Sequence, residues 1–253
     1  MKALLSSTYF GPVQWYQKLN RYDECLIERH ESFIKQTYRN RMIIPTTNGP
    51  LSLTIPTNHD TSMAMKDIRI SDHANWRHVH WNALLSAYGE SPFFEYYQDD
   101  IRPFYEKKYE FLFDFNMEIT DKMIELLDIR PKISVTDEYF PKKSEGSNHS
   151  ESNEGKASVL QQGGNLACSA DCKSTETPTE RSEEFGAQLS TFKFQPSTFK
   201  DFRDAIRPKK PLPDAEFTPK RYYQVYEQKH GFQPNMSILD LLFNEGNEAI
   251  FYL

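Results

Sequence analysis

The chain predicts an α/β fold: a small mixed β-sheet near the N-terminus, helices packed on it, and a C-terminal helical segment returning to the same core. Three observations carry this. Short apolar runs at Ala3–Leu5 and Cys25–Glu28 have strand length, and between them Val13, Tyr16 and Leu19 recur at one-turn spacing. Longer helical periods follow at Ser71–Tyr88 and Leu112–Ile129. Near the other end Leu239, Leu242 and Phe243 form an apolar face on a tail of about 60 residues, too short to bury that face alone.

Taken in order, Tyr9-Phe10-Gly11-Pro12 is a turn, and Pro12 suits the first turn of a helix through Asn20. His30–Arg41 is polar and basic, a short helix or an irregular loop. Met42–Pro45 and Leu51–Pro56 flank Thr46-Thr47-Asn48-Gly49, a hairpin signal because Asn-Gly tolerates the positive φ of such turns. Ile68 and Ile70 alternate with polar residues as a further strand. Ser71–Tyr97 holds two of the three tryptophans and three of the seven histidines. On a helix Trp76, Val79, His80, Ala83, Leu84 and Ala87 share one face, with Ser71 or Asp72 as cap and Gly89 and Pro92 as stop. Trp81, Leu85 and Tyr88 add apolar surface on a third side, so this helix should be packed on both flanks.

Phe93–Tyr109 reads as helical pieces broken at Pro103, Leu112–Ile129 as a helix and Ile133–Val135 as a short strand. Tyr222–His230 reads as a helix ended by Gly231. Ser237 caps Ile238–Asn244, with Gly246 beyond it. Residues 1–140 form the main α/β portion, and residues 191–253 a C-terminal segment packing on it. Between them, 141–190 is Ser, Glu, Gly, Asn, Thr and Lys with almost no large apolar residue. It is expected to be a disordered, low-complexity insertion.

Thirty-six acidic against 30 basic residues leave a net charge of −6, which argues against nucleic acid as the partner. No apolar run approaches the roughly 18 residues of a membrane span. Three cysteines make no disulfide framework, and MKALLSS is too short an apolar start for a signal peptide, so a cytoplasmic protein is expected. Neither a G-x-G-x-x-G nor a G-x-x-x-x-G-K-[ST] loop is present, nor a G-x-S-x-G elbow, which removes the common nucleotide-binding and serine-hydrolase classes. No cofactor is expected.

No metal site is expected either. On a helix His78 and His80 diverge by about 200°, and His73 and His80 stand about 10 Å apart along the axis. Cys168 and Cys172 lack a second pair. His80, amid an apolar arc, is either a core histidine or a general base, with His73 and Arg77 along the same helix edge as a polar seam leading to it. Arg39 and Arg41 around Asn40 suit a carboxylate or phosphate, or form an exposed basic loop. Asp240 and Glu245 are read as a solvated face or local caps, and Cys25 as a buried strand residue.

Four segments agree in order with one family. They are Tyr9-Phe10-Gly11-Pro12; Gln36-Thr37-Tyr38-Arg39-Asn40-Arg41 before a strand ending Leu53-Thr54-Ile55-Pro56; Trp76-Arg77-x-x-His80-Trp81 with Ala87-Tyr88 and Pro92-Phe93-Phe94; and Ser237–Gly246. Together they resemble the WbqC-like family of bacterial proteins, which is associated with surface-polysaccharide gene clusters. The resemblance implies an acyl or aminoacyl transferase acting on an amino sugar, or a non-catalytic accessory protein that binds a glycan intermediate or a partner protein of glycan assembly. The substrate would be a small or sugar-linked molecule. His80 would be catalytic, with Tyr9, Arg39, Asn40, Arg41 and Arg77 around the substrate. Where family members often carry Gln-Pro-x-Tyr, this chain has Ser7-Thr8-Tyr9.

Overall fold

A computed structural model describes residues 1–58, 62–142 and 199–253. The expectation of a disordered tract at 141–190, and the cysteines Cys168 and Cys172, fall almost wholly outside these residues. Strand β1 (Lys2–Ser6) runs into helix α1 (Val13–Arg21) and returns as β2 (Glu24–Glu28), parallel to β1 in register Lys2 to Glu24. This is a β-α-β unit, the connection that parallel strands require. Pro12 precedes α1 in extended geometry, and Lys18 and Arg21 occupy its last turn, where positive charge suits the helix dipole.

The chain then forms an antiparallel ribbon, β3 (Arg41–Thr46) and β4 (Gly49–Thr54), closed by Thr47-Asn48 with Thr46 opposite Gly49. Of the turn residues only Gly49 has positive φ, at 99°, so the turn relies on glycine just after it rather than on Asn48. A second ribbon pairs β5 (Thr57–Asn58) with β6 (Arg69–Ile70).

Helix α2 (Trp76–Tyr88) differs from the sequence expectation at its start and on its faces. Neither Ser71 nor Asp72 caps it. A 3-10 turn at His73–Asn75 precedes it, with Ala74 and Asn75 at φ of 67° and 45°, so the continuous helix begins at Trp76. Its buried residues are Trp76, His80, Leu84, Ala87 and Tyr88, a single stripe. Val79 is 54% exposed and Leu85 39%, so the helix is packed on one flank, not two.

Helices α3 (Phe94–Ile101) and α4 (Pro103–Glu106) meet at the expected proline break, and α5 (Leu112–Leu126) buries Leu112, Phe115, Ile119 and Met123. Strand β7 (Ile133–Val135) adds to β2 in parallel. After residue 198 the chain returns as β8 (Phe199–Asp201), parallel to β1 on its other side. The four-stranded sheet therefore has the order β7-β2-β1-β8 and is parallel throughout, while the antiparallel pairs lie in the two ribbons. The expected α/β fold with a C-terminal segment in the same core is present.

Helix α6 is one turn, Glu227–His230, because Tyr222–Gln224 are not helical; the longer helix expected from Tyr222 does not form. Tyr222 is instead drawn into the core, 4% exposed. Helix α7 (Ile238–Glu245) is capped by Ser237, whose Oγ accepts from the Leu239 amide and donates to the Phe10 carbonyl at 2.8 Å. It packs on α1, α3 and β3. Gly246 ends it at φ 58°, and a Cβ there would come 2.8 Å from the Phe93 ring.

Asp240 on α7 is fully buried, which corrects the solvated-face reading. It accepts from the Tyr222 hydroxyl at 2.6 Å and from Gln224 Nε2 at 2.7 Å. Burial pushes its carboxyl up to about 6 despite these bonds. Cys25 is buried in β2 as expected, and burial pushes its thiol up to about 12.

Candidate functional site

Two groups of polar side chains meet where β1 ends. The first surrounds His80. The apolar side of α2 carries it inward, where it is 4% exposed beside Trp76 and Tyr9. Its Nδ1 lies 2.9 Å from the Tyr9 hydroxyl, which is 2.9 Å from the Tyr105 hydroxyl. Burial pulls the imidazole down to about 4, and a backbone hydrogen bond to Thr54 opposes the shift. Tyr105, Tyr9 and His80 form one buried hydrogen-bonded chain. Burial raises both phenols above their ordinary range, so the chain is neutral at pH 7.

Thr54 also links this group to the basic segment, since its Oγ1 accepts from Arg41 Nε at 3.0 Å. Arg41 is half-buried at the start of β3. Arg77 does not continue toward His80. It donates to Asp72 at 2.6 Å and to the Lys107 carbonyl at 3.0 Å, over the Trp76 ring. His73 is exposed in the 3-10 turn, so the expected seam of His73, Arg77 and His80 is not formed.

The second group lies at the carboxyl ends of the parallel strands, the edge at which open α/β sheets bind ligands. Ser6, Ser7 and Thr8 leave β1 there, Glu28 ends β2, and Arg203 follows β8; all are buried. Arg39 is 2% exposed and fully engaged. Its Nε and Nη2 reach the two Glu31 carboxylate oxygens at 2.8 and 2.5 Å, its Nη2 also reaches Ser6 Oγ, and its Nη1 reaches Thr37 Oγ1. The fork expected to face an anion is thus closed on Glu31. Asn40 donates to the Ile55 carbonyl at 3.0 Å. Asn116 ties the two groups together, donating to the Arg39 carbonyl at 2.8 Å and to Ser7 Oγ at 3.3 Å.

Glu28 accepts from the His30 amide, the Thr136 hydroxyl and the Phe140 amide, and Arg203 Nη1 stands 3.7 Å from it. Sequence reasoning missed Ser6, Thr8, Glu28, Glu31 and Arg203. The available signal was polar residues directly following the apolar runs at Ala3–Leu5 and Cys25–Ile27, where strand ends in a parallel sheet fall. Among the described residues no group of three or more His, Cys, Asp or Glu side chains is placed to hold a metal ion. No helix among them is long and apolar enough to cross a membrane.

The chain is 25% identical over 261 residues to the uncharacterized protein Rv1507c of Mycobacterium tuberculosis, covering 99% of this chain and 96% of that protein. No solved structure matches. The profile of the WbqC-like protein family matches residues 7–196 and 213–252, taking in Tyr9, Arg39, His80 and Asp240. The chain belongs to the WbqC-like protein family.

Proposed function

We propose that this protein is a cytoplasmic transferase that moves an acyl or aminoacyl group onto an amino sugar during bacterial surface-polysaccharide assembly. The observation that supports it is the meeting of His80 and Arg41 at Thr54. A neutral imidazole can take a proton from an attacking amine, and a guanidinium close by can hold an anionic group of the donor. In this reading His80 is the base and Arg41 the anion holder. Tyr9 and Tyr105 position the imidazole, and Arg39, Asn40 and Arg77 hold the surrounding segments in place. The substrate is a small or sugar-linked molecule, passed on by partner proteins of glycan assembly.

A second reading, a non-catalytic accessory protein that binds a glycan intermediate or a partner, is favoured by one observation. His80 is 4% exposed and held near 4, so it is enclosed and weakly basic. Mass spectrometry of surface glycans from a deletion strain separates the two readings. The transferase reading expects a missing substituent that returns with the parent gene but not with His80→Gln. Return with both points to the accessory protein, and glycans identical to the parent strain's overturn both.

A further inference from the structure

Two loops from distant parts of the chain leave the carboxyl edge of the parallel sheet and meet. The first follows β2 and Glu31, and the second follows β8 and Arg203. No acidic residue lies between Glu31 and Asp60, or between Asp204 and Asp214, although the chain holds 36 of them. Lys209 Nζ donates to Gln36 Oε1 at 3.1 Å, which fastens one loop to the other across 173 residues of sequence. Each loop turns at a residue of positive φ, Gln36 at 60° and Lys210 at 49°.

The positive charge at these tips is open. Arg207 pairs with Asp204, but Lys35, Lys209 and Lys210 are exposed and meet no carboxylate among the described residues. Beside them stand two exposed aliphatic side chains, Ile34 at 37% and Leu212 at 47%. Pro208, Pro211 and Pro213 stiffen the second loop, so little chain freedom is lost when it docks. On a protein of net charge −6, a positive tip of this kind selects an anionic partner. The apolar side chains say which. Single-stranded nucleic acid is held by stacking on aromatic faces, which Ile34 and Leu212 do not offer. Aliphatic side chains suit the boundary between lipid headgroups and acyl chains, with lysines reaching back to the phosphates.

We propose that this double loop is a docking surface for an anionic membrane, with Lys35, Lys209 and Lys210 at the lipid phosphates and Ile34 and Leu212 in the acyl boundary. It needs no membrane-spanning segment and does not rest on the transferase reading. Each lysine close to an anionic bilayer strengthens binding by about fivefold, so three give a reversible attachment rather than a permanent anchor.

The full chain is sedimented at low salt with vesicles of phosphatidylglycerol and phosphatidylcholine in equal parts, and with vesicles of phosphatidylcholine alone. It should bind the first and not the second, and binding should fall as sodium chloride screens the lysines. Lys209→Gln with Lys210→Gln should weaken binding by about 25-fold, the share of two lysines. Ile34→Ser with Leu212→Ser should weaken it at every salt concentration. All four side chains are exposed, so both double variants should melt with the parent. Lys132→Gln removes an exposed charge just before β7, at the opposite edge of the sheet, and should leave binding unchanged. The inference is overturned if the chain stays in the supernatant with the anionic vesicles or binds neutral vesicles equally. It is also overturned if the Lys209 and Lys210 double variant binds like the parent, or if Lys132→Gln weakens binding as much. Capture of single-stranded DNA by the same lysines, without vesicle binding, would assign the surface to nucleic acid instead.

Discussion

The Tyr9 hydroxyl and His80 Nδ1 lie 2.9 Å apart, joining the turn after the first strand to the middle of α2 across 71 residues of sequence. Because burial holds His80 near 4, against 6.5 for a free imidazole, the unfolded chain binds this proton more readily than the folded one. The group's contribution to stability is complete above pH 6.5 and is lost as pH falls toward 4. Over that window the loss should approach about 3 kcal/mol. Urea unfolding at pH 7 and pH 5 checks it. Relative to the parent, His80→Gln should gain stability as pH falls from 7 to 5, and a parent-to-variant difference that does not change with pH would show that the ring is not buried as described.

Asp240 acts with the opposite sign. Its carboxyl, buried among Tyr222, Gln224 and Asn244, is raised from 3.8 to about 6. The folded state therefore binds this proton more readily, and the contribution is present below pH 3.8 and lost as pH rises through 6. Asp240→Asn removes the cost of a buried charge, so it should gain stability relative to the parent between pH 5 and pH 8, by up to about 3 kcal/mol. A constant difference between variant and parent across that range would contradict it. Since the windows of His80 and Asp240 overlap, the parent's own profile should be flatter than that of either single variant.

Arg39 and Glu31 form a two-pronged buried pair, 2% and 3% exposed at the side chains. Arg39→Met leaves the Glu31 charge enclosed without its partner and should destabilise by about 3–5 kcal/mol. Adding Glu31→Gln should recover much of that loss. Chemical denaturation of the two single variants and the double variant measures the coupling, and simple additivity would mean the pair is not formed.

Gly11→Ala would drive its methyl group to 2.4 Å from Thr8 Oγ1 and 2.9 Å from Thr8 Cβ. The expected loss is about 1–3 kcal/mol, typical of overpacking. Thr8→Ala added to it should return part of the loss, because the nearest atom is gone while Cβ remains. A melting temperature equal to the parent's for Gly11→Ala alone would show that the turn can yield.

The amino-acid order by itself determined what depends on neighbours in sequence. The apolar runs of β1 and β2, the one-turn spacing of α1 and α5, the break at Pro103, the hairpin closed before Gly49 and the Ser237 cap of α7 are all local. A period or a turn residue acts over a few positions, so it can be read there. Tertiary structure alone decided what depends on partners brought from afar. Asp240 looked like surface because nothing near it in sequence suggests Tyr222 and Gln224 folding over it. Arg39 looked free for an anion because a basic segment does not announce that Glu31 will close on both prongs of its fork. The start of α2 was misread because two left-handed residues, Ala74 and Asn75, turn the chain where composition would let a helix run on. The buried polar group at the sheet edge needs β1 and β8 side by side, with Thr8 from one end of the chain and Arg203 from the other. Pairing of strands that far apart is set by burial of the whole core, and no single stretch of sequence encodes it.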